Sequence, residues 1–190
     1  MNERIVKWDL VPGLVLELVN LDKDGRRDFF INLPVENIPM GALMDTSQVE
    51  VDDKGQVTFT LTPQEFHYNP LGTVHGGLAA TMLDSCNSIS ANCQLDKGFL
   101  TMTTDIRVNY FRPMTVSTGE VTASAKIEKI GRRVIFVTGT LSDKDGKIDF
   151  SKTTSENVYN FVRALSSPYN GAWSYIKIGN KPVSYIHLTL

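Results

Sequence analysis

"NPLGTVHGGLAATMLDSCNSISANC", Asn69–Cys93, is the stretch from which the fold is read. Its first nine residues hold three glycines, a histidine and an asparagine, the composition of a tight loop. The remainder reads as a helix to about Asn92. Ala79, Ala80, Ser85, Ser88, Ser90 and Ala91 are small enough for close packing, and Leu78, Met82, Ile89 and Cys93 fall near one stripe. A helix starting near Val74 puts Gly76 and Gly77 in its first turn. N–H groups there have no intrahelical partner and carry the positive end of the helix dipole. Without a Cβ they are open to a ligand carbonyl, which suits an oxyanion hole. Asp84 is the one carboxylate in the helix. It returns to nearly the face of Gly77 about 10 Å further along. That is too far to share one substrate atom with that glycine, but it could meet the helix mouth of a second copy related by a two-fold axis. Each residue also has a structural reading: His75 as a cap, the glycine pair as a tight turn, Asp84 bonded to a neighbouring strand, and Asn69 as turn chemistry before Pro70.

Outward from the helix the pattern changes. "QVEVDDKGQVTFTLTP", residues 48–63, reads as two alternating strands around "DDKG", with Val57, Phe59 and Leu61 on one face. After the helix, "LTMTTDIRVNYF" (100–111), "GEVTASAKIEKI" (119–130), "RRVIFVTGTLSD" (132–143) and "KIDFSKTTSENVY" (147–159) read as long strands, the middle pair joined by a glycine turn and the next turn lying at "DKDG", Asp143–Gly146. One helix and one long antiparallel sheet imply an α+β domain in which the sheet wraps the helix. Such a sheet leaves a face or edge uncovered, which predicts a dimer. Residues 1–45 form an N-terminal extension. "VPGLVLELVNL" is expected to be a helix near Pro12, "DKDGRRD" to break it, and residues 33–43, with two prolines and a glycine, to be loop. The domain spans residues 46–160. Residues 161–190 form a tail, either an extra strand or an arm over a partner chain.

Composition narrows the function. The chain has 190 residues, 42% of them hydrophobic, and a formal net charge of -2. That suits one domain with appendages. The absence of a basic stripe argues against nucleic acid or an anionic membrane as partner. Pro12, Gly13, Glu17 and Asp22 interrupt the N-terminal apolar run, so neither a span nor a signal peptide is expected, and the protein is read as cytoplasmic. Cys86 and Cys93 lie about 10 Å apart on one helix, too far for a disulfide. His67, His75 and His187 have no metal-ligand spacing, and no metal or cofactor is expected.

The spaced set Asn69, Gly72, His75, Gly76, Gly77 and Asp84 resembles the signature of hotdog-fold acyl-CoA thioesterases of the PaaI (phenylacetate-pathway) type. "TTDIRVNYFRP" and "GRRVIFVTGTLSDKDGK" resemble later strands of that family, so the likeness covers about residues 46–160. The resemblance implies a hotdog fold and hydrolysis of an acyl-CoA thioester by a homodimer or dimer of dimers. It implies that Gly76 binds the thioester carbonyl through its N–H, that Asn69 orients water or thioester, and that His75 supports the site near the sulfur. Asp84 from the opposite subunit would be general base or nucleophile, and Thr103 stands where the family often has a Ser or Thr that positions water or the acid. Gly77 belongs to the same helix mouth. Arg132 and Arg133, after a glycine turn, are candidates for the CoA phosphates, as is Arg112, with solvated turn charges as the alternative. The N-terminal segment is longer than that family's core needs, and the tail after Asn160 has no counterpart in it. Other readings are a non-catalytic hotdog module that senses or carries an acyl thioester, a hotdog dehydratase, and a membrane-anchoring role for residues 1–45. The pairing of Gly76 with Asp84 favours the hydrolase, and no Lys/Arg-rich face supports an anchor.

Overall fold

The alternation in residues 48–62 becomes a hairpin. In the computed structural model, which describes residues 4–7, 13–35, 38–143, 172–178 and 181–188, β1 (Glu50–Val51) pairs antiparallel with β2 (Val57–Leu61), Glu50 opposite Thr58. Asp52 Oδ1 makes the turn by accepting the N–H groups of Lys54 and Gln56, each at 2.8 Å. Gly55, at φ +74°, takes the left-handed conformation that only glycine adopts without cost. β3 (Val121–Ile130) pairs with β2, Phe59 opposite Ala123 and Leu61 opposite Val121. β4 (Ile135–Asp143) follows a turn closed by the Gly131 N–H on the Val134 carbonyl at 2.9 Å. The sheet order is β1-β2-β3-β4.

The central helix α4 (Gly76–Asn92) lies on β2 and β3. Met82 and Cys86 are fully buried against Val57, Phe59, Leu61, Val121, Ala123 and Ala125, while Leu78 and Ile89 pack at the margin. The two alanines of β3 let the helix come close. At Gly139 of β4 a Cβ would stand 2.7 Å from Asn87 Oδ1 and 3.0 Å from Leu83 Cδ2. This arrangement of sheet and helix is the one the strand pattern implies.

Before the sheet come three short helices: α1 (Leu14–Val19), α2 (Lys23–Ile31) and α3 (Pro39–Met44). The first was expected and the other two correct the sequence reading. "DKDGRRD" begins a new helix because Asp22 caps it, its Oδ1 accepting the Gly25 N–H at 2.9 Å. Arg26 and Phe30, four residues apart, are then buried together. In residues 33–43, Pro39 opens a helix at the position where a missing N–H costs nothing.

By its internal contacts the chain divides into Met1–Val108 with Met114–Leu141, and Asn109–Pro113 with Ser142–Leu190. In the second unit Arg112 is ion-paired to Asp143, so this candidate for CoA phosphates already has an anionic partner. The tail contains an antiparallel hairpin of β5 (Ala172–Ile178) and β6 (Lys181–Leu188), Trp173 opposite His187, with a register shift between Ser174 and Ile176. The strand expected over residues 147–159 and most of the "DKDG" turn lie outside the described residues.

The strand expected at 100–111 does not form; residues 99–114 take no regular secondary structure. Composition favours a strand there, with Ile106, Val108, Tyr110 and Phe111. A strand also needs a hydrogen-bonded neighbour, and this segment pairs with no strand of the described four-stranded sheet.

Cys86 and Cys93 are free and buried. Burial pushes the Cys86 thiol up to about 12 and that of Cys93 to about 11, so both are protonated packing groups and not nucleophiles. Among the described residues no helix is long and apolar enough to cross a membrane.

Candidate functional site

The loop before α4 is built by its own asparagine. Asn69 Oδ1 accepts the Leu71 N–H at 2.8 Å, and Asn69 Nδ2 donates to Thr73 Oγ1 at 2.9 Å. The Asn69 N–H donates to the Thr73 carbonyl at 2.7 Å, and Gly72 turns the chain at φ +76°. Both ends of the Asn69 amide are thus engaged within its own turn. The loop is pinned by the Val74 N–H on the Met114 carbonyl and the His75 N–H on the His67 carbonyl, each at 2.8 Å. His67 is itself buried and tautomerically defined: Nδ1 accepts the Gln64 N–H and Nε2–H donates to the Met44 carbonyl, each at 3.0 Å. Burial is the main cause that lowers its pKa, so the ring is neutral and serves as a strut.

The helix starts at Gly76, two residues later than the sequence indicates, because His75 is its cap. His75 Nδ1 accepts the Gly77 N–H at 2.9 Å, which leaves the imidazole proton on Nε2. The folded-back ring explains Gly77: a Cβ there would lie 2.9 Å from His75 Nδ1. Gly77 therefore holds the histidine, and its N–H is already committed. Gly76 occupies the first helical position, at the positive end of the helix dipole.

Two turns along α4 a polar stripe faces residues 101–103. Thr103 Oγ1 donates to Asp84 Oδ1 at 2.6 Å, and Ser88 Oγ lies 3.1 Å from the same hydroxyl. One turn further, Asn92 Nδ2 donates to Thr101 Oγ1 at 2.8 Å, and Asn92 Oδ1 accepts the Thr101 N–H at 3.2 Å. Asp84, Ser88 and Asn92 follow the four-residue helical repeat, so the segment that lacks a strand partner is held by side chains of the helix. Arg26 closes the far end. Its guanidinium, fully buried, donates to the carbonyls of Leu21, Asn92, Asp96 and Phe99 at 3.1, 3.4, 3.3 and 2.6 Å.

Asp84 and Thr103 are therefore in contact, while Asn69, His75, Gly76 and Gly77 form the mouth of α4 about 12 Å away at 1.5 Å per residue. Arg132 and Arg133 are exposed at the β3–β4 turn. Ser88, Asn92 and Arg26 escaped the sequence reading. For the first two a signal was present in the polar positions at 84, 88 and 92; for Arg26 there was none, since its partners are all main-chain carbonyls.

Residues 71–149 match the family model described as "Thioesterase superfamily". A second model, "Formyl transferase, C-terminal domain", matches residues 140–189, which contain β5 and β6. Acyl-coenzyme A thioesterase 13 of Mus musculus is 33% identical over 81 residues, 43% of this chain and 56% of the relative. The chain thus spans little more than half the length of that relative. Among solved structures, the PaaI protein of E. coli from the phenylacetic acid degradation operon has TM-score 0.54 at 18% identity, covering 63% of this chain and 83% of that one. The BH2602 protein of Bacillus halodurans, solved with CoA, has TM-score 0.52 at 23% identity, covering 70% and 82%. At these identities the structural likeness is one of fold. Residues 71–149 are thus similar to the thioesterase superfamily, and the fold is the hotdog fold of the PaaI protein.

Proposed function

We propose that the protein hydrolyses an acyl-CoA thioester to the free acid and CoA, at a site shared between two copies of the chain. The observation that carries this reading is the 2.6 Å hydrogen bond from Thr103 to Asp84, which holds one carboxylate oxygen in place. Asp84 accepts a proton from water as the oxygen adds to the thioester carbonyl carbon. The negative charge that develops on the carbonyl oxygen is met by Gly76 and the N-terminal dipole of α4 in the partner. Collapse breaks the C–S bond, and the leaving thiolate takes up the proton held by Asp84. A general base contributes about 10²–10⁴-fold and an oxyanion donor about 10²–10³-fold. His75, with its proton on Nε2, stands beside the carbonyl. Asn69 keeps the loop in shape, and Arg132 and Arg133 take the CoA phosphates. The two free thiols suit a reducing, cytoplasmic setting.

The separation of Asp84 from Gly76 along one helix supports a homodimer or a dimer of dimers. Mixing tests it. Asp84→Ala chains and Gly76→Val chains, each inactive alone, form heterodimers with one intact site out of two. Random mixing of equal amounts should therefore restore about one quarter of wild-type CoA release for a two-fold assembly. Activity no higher than in the separate variants would place the whole site in one chain.

A further inference from the structure

We infer that Ser88 is a positioning residue for this reaction, donating to Thr103 Oγ1 and thereby fixing the Thr103 proton on Asp84. The inference rests on the thioesterase reading of Asp84. Its basis is a count of protons. A threonine hydroxyl has one proton and two lone pairs, and an ionised carboxylate only accepts. With the Thr103 proton on Asp84 Oδ1 at 2.6 Å, the 3.1 Å contact between Ser88 Oγ and Thr103 Oγ1 requires Ser88 to be the donor. The three side chains form a directed chain from Ser88 through Thr103 to Asp84.

A helical serine commonly returns its proton to the carbonyl four residues back, yet Ser88 has a partner across the site. The backbone around Thr103 gives this contact its importance. Residues 99–114 have no strand ladder to fix them, so the rotamer of Thr103 is set by what α4 presents to it. Asn92 fixes residue 101, and Ser88 fixes the hydroxyl of residue 103. Without the Ser88 proton, the Thr103 hydroxyl can rotate away from Asp84. The carboxylate oxygen that receives the proton of water would then lose its fixed orientation. The loss falls on turnover and not on substrate affinity, because Ser88 reaches the reaction only through Thr103.

The test is a set of four variants assayed for CoA thiol release with one saturable acyl-CoA: Ser88→Ala, Ser88→Thr, Thr103→Val, and Ser88→Ala with Thr103→Val. Ser88→Ala should lose on the order of fivefold in kcat with KM unchanged, while Ser88→Thr, which keeps the hydroxyl, should retain most of it. The double variant should be no slower than Thr103→Val alone, since the two residues act in series. Wild-type kcat in Ser88→Ala, or losses that multiply in the double variant, would overturn the role of Ser88 and leave the hydrolase standing. A fall in kcat matched by a loss of folded protein, seen as a lowered Tm, would also overturn it. Absence of thiol release from the wild type would instead remove the hydrolase reading and this role with it.

Discussion

Asp84→Asn is expected to fold as the wild type does and to release CoA about 10²–10⁴-fold more slowly. The amide has the shape of the carboxylate and still presents an oxygen to the Thr103 hydroxyl, which lies 2.6 Å from Asp84 Oδ1 in the native chain. The contact that holds residue 103 to α4 is kept. The amide cannot accept a proton from water, and that is the step for which the carboxylate is needed. Asp84 is also partly exposed and outside the packed cluster around Met82 and Cys86, so its replacement leaves the core intact. Single-turnover and steady-state thiol release, with thermal unfolding as the control, separate the two effects. A variant with near-normal kcat would remove Asp84 as the base, and a variant that fails to fold would assign it to structure.

Arg26→Met is expected to destabilise the protein by about 3–5 kcal/mol, a loss large enough to unfold a marginal domain. Methionine fills much the same volume, so the cost is not a cavity. It comes from four carbonyls, those of Leu21, Asn92, Asp96 and Phe99, that lose a donor which is itself fully buried. A buried carbonyl left without a partner costs about 1–3 kcal/mol, and neighbouring losses do not add fully. Burial is the main cause that lowers the Arg26 pKa from its ordinary value, opposed by the nearby Cys93 and Asp96. The guanidinium remains charged, and the carbonyl end of α4 supplies the negative potential it needs. Denaturant unfolding should show a lower midpoint with the same slope. The same change should loosen residues 99–103, whose turn Arg26 anchors, and so weaken catalysis even where the protein remains folded. An unchanged midpoint would mean that the extension is an appendage and not part of the helix's support.

The parts of the fold legible in the sequence are those with strong local periodicity. Val57, Phe59 and Leu61 alternate into the core, Asp52 and Gly55 shape the turn before them, and the small residues of α4 mark its packed face. Errors arose where a local signal was outweighed by context. Residues 100–111 have the composition of a strand but pair with no strand of the described sheet. "DKDGRRD" has the composition of a turn but holds a capping aspartate and a buried arginine on one helical face. At the site, the glycines and the acid stood out as residue types, and their spacing along one helix raised the expectation of a site shared between two copies. Gly77 has a further reason to be glycine, since the ring of His75 lies where its side chain would be. Ser88 looked like one more small residue of a packed helix, because its partner, Thr103, comes from a segment whose path no sequence pattern gives.

The measurement that bears most directly on the site is CoA thiol release by the wild-type chain over a panel of acyl-CoAs, aromatic and aliphatic, from short to long. Turnover of at least one class is expected at a rate well above Asp84→Asn, with the preferred chain length reporting the shape of the acyl pocket. No release from any member, together with a rise in Tm when an acyl-CoA is added, would contradict it and make the protein a binding module for acyl thioesters.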